Sequence, residues 1–221
     1  MDFASAVHFL HVVAFALVVA VDLPAFFAAR HAAEPRASAA TVVLAARLMR
    51  WTTAISGFAL VWFMPLGVEM ATGVGVYDLK SPSWLTATWA VSLIWVALIL
   101  GSSGNARLVT AEIWIRALIG LGNVYDGLVG FGGEGLVHGD WLALKILLFG
   151  IALLASAWVR AKMRPVREAL AEINPLSAQR STFDQKTAAS VAAALAKVRP
   201  GVHSIWLACL VAAWMGINKS F

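Results

Sequence analysis

Long apolar blocks dominate the hydropathy pattern of the chain. Four of them approach the ~20 residues that a helix needs to cross about 30 Å of hydrocarbon, and a fifth, shorter block lies near the C-terminus. Tryptophans mark ends of three of the four long blocks, as is typical of rings at the lipid headgroup level. The pattern therefore predicts membrane-spanning helices at 4–28, 51–71, 84–100 and 141–161, with a further span at 202–217.

Two connections between these blocks are rich in Lys and Arg, namely 30–50 and 160–199. Loops that carry an excess of Lys and Arg usually lie on the cytoplasmic side of a membrane. Within the second loop we expect surface helices at 165–173 and 183–198, and a bend at Pro200, which comes just before the last span.

With these five spans alone, the second basic loop would lie on the periplasmic side of the membrane instead of the cytoplasmic side. One more crossing is therefore expected. The segment 108–129 is the candidate, although it contains Glu112, Arg116, Asn123 and Asp126. At 100° per residue these four side chains share one stripe of roughly 80°, which is typical of a spanning helix turned towards its neighbours. We therefore favour six spans with both termini periplasmic; the alternative is five spans with this segment interfacial or re-entrant.

The composition supports a single transmembrane helical domain over residues 1–221. Hydrophobic residues make up 61% of the chain and charged residues only 13%, with a mean hydropathy of +0.80, whereas soluble domains carry about 25% charged residues. The lipid bilayer is the expected partner, in a bacterial-type, energy-transducing inner membrane.

The net charge of +5 comes from the two basic loops, which show no nucleic-acid-binding pattern. No nucleic-acid partner is therefore expected. The single Cys209 excludes an intramolecular disulfide.

Charges inside the bilayer cost on the order of 3 kcal/mol each, so we expect them to have partners. In the six-span topology they form two polar layers. One interpretation is that Asp22 pairs with Arg116 and Asp126 with Lys145, which would fix helix packing. The other is that the outer histidines ligate a haem iron or a copper ion, both of which suit neutral imidazole. The inner layer comprises Asp22, Glu112 and Arg116; the outer layer comprises His8, His11, Asp126 and Lys145, with His138 folding over it.

Two segments resemble the copper-resistance D and HemJ-type membrane proteins. They are "HFLHVVAFALVVAVDL", which contains His11, and "WLALKILLFGIALLASAWVRAKMRP", which contains Lys145. Together they cover about 50 residues. The resemblance implies haem binding with protoporphyrinogen oxidation, or copper uptake. It marks His11 as a haem-ligand candidate and Lys145 as its polar companion.

Three functions follow as hypotheses. The first is a redox or cofactor-handling membrane protein of the oxidoreductase class that binds haem b or, alternatively, copper through His11, with His8, His138 and Lys145 as further candidates. The second is a proton-linked transporter whose coupling site contains Asp22, Glu112 and Arg116. The third is an accessory subunit of a larger membrane complex, or a homo-oligomer, without chemistry of its own.

Overall fold

Seven α-helices and one isolated β-bridge form the regular structure of the described chain. The structure is a computed structural model that describes residues 2–32, 34, 37–78, 81–102, 105–171 and 185–217. The prediction of an all-α helical bundle is confirmed. The helices are α1 (Phe3–Ala32), α2 (Ala39–Gly73), α3 (Pro82–Gly101), α4 (Ala106–Phe131), α5 (Asp140–Lys162), α6 (Arg164–Ala171) and α7 (Gln185–Ile217).

Five helical segments in the described part are long and apolar enough to cross a membrane. The segment 108–129 lies inside one of them, because α4 is a continuous helix of 26 residues. In α1 the stretch Phe3–Val19 is a shorter apolar helix. The chain is therefore a multi-pass membrane protein, and the crossing by α1 and the sidedness stay predictions. The five segments are Ile55–Gly73, Pro82–Gly101, Ala106–Phe131, Asp140–Lys162 and Ala192–Gly216.

The six long helices form a closed ring in which each packs against the next, and α7 returns to α1. The contacts are most extensive between α1 and α2 and between α4 and α5. The end at which α1, α3 and α5 begin is called the outer end here, and the opposite end is the inner end. The ring interior is filled by apolar side chains, of which Val61, Trp95 and Leu153 are fully buried.

Two helices extend further than the sequence pattern predicts. The expected basic loop 30–50 is largely helical, because α2 begins at Ala39, where Ser38 accepts a hydrogen bond from the Thr41 amide at 3.1 Å. The expected segments 183–198 and 202–217 are not separate, because α7 runs from Gln185 to Ile217 and continues through Pro200; residues 183 and 184 lie outside the described residues. Proline removes one backbone hydrogen bond, and packing of the neighbouring Gly201 against Trp158 of α5 offsets that loss.

Glycines bring α4 and α5 into backbone contact. A Cβ at Gly127 would lie 2.7 Å from the Leu147 amide nitrogen, and one at Gly150 would lie 2.7 Å from the Gly120 carbonyl oxygen. Only glycine fits such positions, and small residues commonly mediate close helix packing in membranes. This close approach sets the distance across which side chains of α4 and α5 meet.

At the outer end, the loops after α2 and after α4 are joined by a short antiparallel bridge between Tyr77 and Val137. The Asp78 amide donates to the Leu136 carbonyl and the His138 amide to the Val76 carbonyl, both at 2.8 Å. A small apolar cluster that includes Val137 supports the bridge from below. The outer end of the ring is thus closed on this side by two connected loops.

Candidate functional site

A fully buried carboxylate, Glu112, lies near the inner end of the ring, about 9 Å along α4 from its first residue. Its Oε1 accepts a hydrogen bond from Arg116 Nε, one turn further along the same helix. Its Oε2 forms an ion pair with Arg160 Nε, which comes from the inner end of α5. One carboxylate thus binds two guanidinium groups, each of which is almost completely removed from solvent.

Two uncharged side chains complete this group, which we call the inner cluster: Glu112, Arg116, Arg160, Trp95 and Ser156. The Trp95 Nε1 donates to Glu112 Oε1 at 3.3 Å, and the Trp95 ring lies 5.6 Å from the Arg116 guanidinium carbon. Arg116 Nη1 donates to Ser156 Oγ at 3.2 Å. Buried charges are tolerated when they are paired and hydrogen-bonded, and here the partners come from α3, α4 and α5.

A further arginine, Arg167 of α6, attaches that short helix to the inner cluster. Its Nη1 donates to the Arg160 carbonyl oxygen at 2.6 Å. Burial, followed by the positive charge of Arg160, lowers the pKa of Arg167 to about 10. The inner end therefore carries more positive than negative charge in the described residues.

The outer half of the ring contains a half-buried histidine with a different environment. His11 of α1 packs edge-on against the Phe63 ring of α2, with 4.7 Å between ring centroids, and its Cε1 would lie 3.7 Å from a Cβ at Gly67. Its Nδ1 is buried and has no hydrogen-bond partner among the described residues. An unpaired buried polar atom costs on the order of 1–3 kcal/mol, so it points to a ligand.

Lys145 and His8 lie within electrostatic range of His11. Lys145 is in the second turn of α5, with its Nζ 5.8 Å from the centre of the Trp141 ring. A Cβ at Gly216 of α7 would lie 3.2 Å from that nitrogen, so this glycine leaves room for the ammonium group. His8 is exposed. The structure thus places His11, Lys145 and His8 in one region, as the sequence predicts.

The other expected metal ligand, His138, is exposed on the loop that forms the outer bridge. Within the described ranges, no three His, Cys, Asp or Glu side chains come together in a group that could hold a metal ion. His8, His11 and His138 therefore do not form a three-histidine site in this structure. Of the three histidines, His11 is half-buried in the ring, whereas His8 and His138 are exposed.

The polar residues at the outer end of α4 are separate from both groups. Asn123 and Asp126 line an open cleft between α2, α3 and α4. Among the described ion pairs, none joins Asp126 to Lys145, so the expected pair is absent. The cause is the direction of the two side chains, since Asp126 faces α3 whereas Lys145 contacts α7.

Sequence reasoning found Glu112 and Arg116 but missed three of their partners, Arg160, Trp95 and Ser156. Arg160 lies close to Lys162 at the end of a predicted span. In that position the sequence pattern indicates a loop residue whose charge sets the membrane topology. Tryptophan and serine inside apolar helices carry no distinctive sequence signal. The expected Asp22–Arg116 pair stays a prediction, because the side chain of Asp22 lies outside the described residues.

In the described part of the chain, the inner cluster and the His11 region both combine burial with polar chemistry. The buried polar atoms of the inner cluster have ion-pair or hydrogen-bond partners, whereas His11 Nδ1 has neither. The chain matches no protein-family model, and no curated protein or solved structure is significantly similar to it.

Proposed function

We propose that this membrane protein binds a redox cofactor, haem b, through the imidazole of His11. The observation that carries the proposal is the buried Nδ1 of His11, which has no hydrogen-bond partner among the described residues. Histidine is the usual axial ligand of haem iron in proteins that bind it through nitrogen. The resemblance of the first and fifth spans to haem-associated membrane proteins leads to the same residue.

The donor set fits haem better than copper. Protein copper sites use several ligands from the chain, and the described residues offer no group of three. Haem iron is held in several protein classes by one histidine. The Lys145 ammonium within electrostatic range of His11 opposes a bare cation and favours a group with anionic carboxylates, which haem carries.

In this proposal the chain supplies binding and orientation, and haem would supply one-electron redox chemistry. His11 would hold the haem iron through its imidazole, and the Phe63 ring packs edge-on against that imidazole. Gly67 lies beside His11 and Gly216 beside Lys145, and the lack of a side chain at each glycine leaves space next to these two residues. The apolar ring interior excludes water from the ligand nitrogen.

Absorption spectroscopy of the purified protein tests the proposal. Protein produced with a haem supply, or titrated with hemin in detergent, is expected to show a Soret band that His11→Ala loses. The matched controls are His8→Ala and His138→Ala, which are expected to keep the band because both side chains are exposed. A wild-type protein that stays colourless after hemin titration, or a His11→Ala protein with an unchanged band, contradicts the proposal.

The transporter hypothesis has less support from the inner cluster. Glu112 is bound by two guanidinium groups and an indole, an arrangement suited to joining helices rather than to exchanging protons or substrate. A flux assay in proteoliposomes that compares wild type with Asp22→Asn tests it, and unchanged flux removes it. The accessory-subunit hypothesis predicts co-purification with a stable partner.

A further inference from the structure

An open cleft in the outer half of the ring lies apart from both the inner cluster and His11. It is bounded by α2, α3 and α4 and has a volume of about 280 Å³. Most of its wall is apolar, and Trp84 at its rim is largely exposed on the membrane-facing surface. The cleft therefore opens towards lipid rather than into the ring.

Two features of the packing leave this space open. The contact between α3 and α4 is much less extensive than the contact between α5 and α4. Gly122 on the α4 wall contributes no side chain, and a Cβ placed there would meet nothing within 4 Å. The cleft is therefore a property of these helix faces.

The polar groups in the cleft offer hydrogen-bond acceptors. Asn123 donates its amide to the Ile119 carbonyl at 2.8 Å, which leaves its side-chain oxygen as an acceptor. Thr88 donates its hydroxyl to the Leu85 carbonyl at 2.8 Å, which likewise leaves the oxygen lone pairs. The Asp126 carboxylate has no hydrogen bond or ion pair with any described residue, and it adds a negative charge.

Three acceptors with one negative charge require a donor that carries positive charge. We propose that the cleft binds a lipophilic ammonium ion, with its N–H groups on Asp126 and its apolar part along the wall formed by Met64 and Trp84. A phosphate ligand would bring a second negative charge beside Asp126 and is disfavoured. Asp126 lies about 7 Å from the outer end of α4, at a depth that an amine anchored in the membrane interface reaches.

Native mass spectrometry in detergent tests this proposal with two probes of equal chain length, dodecylamine and dodecanol. Wild type is expected to bind the amine at least about ten-fold more tightly than the alcohol, because charge-assisted hydrogen bonds are much stronger than neutral ones. Asp126→Asn is expected to remove this preference. The matched control Asp140→Asn is expected to keep it, since that carboxyl is exposed at the start of α5, outside the cleft.

A second variant tests the location without removing the charge. Gly122→Leu fills open space and also raises helix propensity, so it is expected to fold. It is expected to weaken the binding of both probes at least about ten-fold by occupying the cleft. Equal binding of amine and alcohol by wild type, an unchanged preference in Asp126→Asn, or wild-type amine binding by Gly122→Leu each overturns the proposal.

Discussion

The inner cluster and the His11 region both place polar atoms inside an apolar ring, but they differ in whether those atoms have a charged partner. Glu112 is bound at both carboxylate oxygens by groups from three helices. His11 has a buried ring nitrogen without a hydrogen-bond partner in the described part of the chain. A satisfied buried group fixes a structure, whereas an unsatisfied one costs stability unless a ligand completes it. This difference is the basis for the proposal that the inner cluster serves assembly and the His11 region binds a ligand.

Removing the charge of Glu112 is expected to have the largest effect. Glu112→Gln leaves two buried guanidinium groups facing a neutral amide, and breaking a buried ion pair from one side costs about 3–5 kcal/mol. The free energy of unfolding in detergent micelles, followed by circular dichroism, measures this loss. The matched control is Glu168→Gln, which breaks an exposed pair with Arg164 and is expected to leave stability unchanged.

A triple variant separates a structural role from a chemical one. Replacing Glu112, Arg116 and Arg160 together by apolar residues of similar volume removes all three charges of the inner cluster, and such a replacement is often neutral for stability. Stability close to that of wild type supports a role in assembly. If Glu112→Gln costs no more than Glu168→Gln, the inner cluster does not hold the ring together and the comparison with His11 fails.

The fold followed from the sequence more completely than the site did. The length of the apolar blocks identified the helices. The stripe that Glu112 and Arg116 share correctly predicted that this face of α4 is turned towards the neighbouring helices. Arg160 was missed because hydropathy and charge counting describe each helix alone, whereas its partner lies on another helix. The expected Asp126–Lys145 pair failed for the same reason: depth along the helices was right, but direction around the ring depends on packing between helices.

Close packing of α4 and α5 carries the next largest effect, because it brings Arg160 within reach of Glu112. A Cβ at Gly127 would lie 2.7 Å from the Leu147 backbone nitrogen. Gly127→Ala is therefore expected to cost about 1–3 kcal/mol through overpacking. Gly122→Ala makes the same change on the same helix where nothing lies within 4 Å, and it is expected to be neutral or stabilising. Equal stabilities of the two variants would contradict the close contact.

Within the inner cluster, loss of a neutral partner is expected to matter less than loss of the carboxylate. Ser156→Ala removes the acceptor for Arg116 Nη1 at 3.2 Å, and a single hydrogen bond to a charged group contributes about 1.5–3 kcal/mol at most. Arg116 keeps its bond to Glu112, so we expect a loss near 1 kcal/mol. A loss as large as that of Glu112→Gln would mean that the cluster is not centred on the carboxylate.

The smallest expected effect is that of His11→Leu on protein without cofactor. The substitution removes a buried nitrogen without a described partner and keeps an apolar side chain against Phe63, so stability is expected to change by less than about 1 kcal/mol in either direction. With hemin present, wild type gains stability through ligand binding, and the variant does not. Thermal unfolding with and without hemin measures both. If His11→Leu without hemin destabilises as strongly as Glu112→Gln, then His11 is structural like the inner cluster, and the contrast between the two regions disappears.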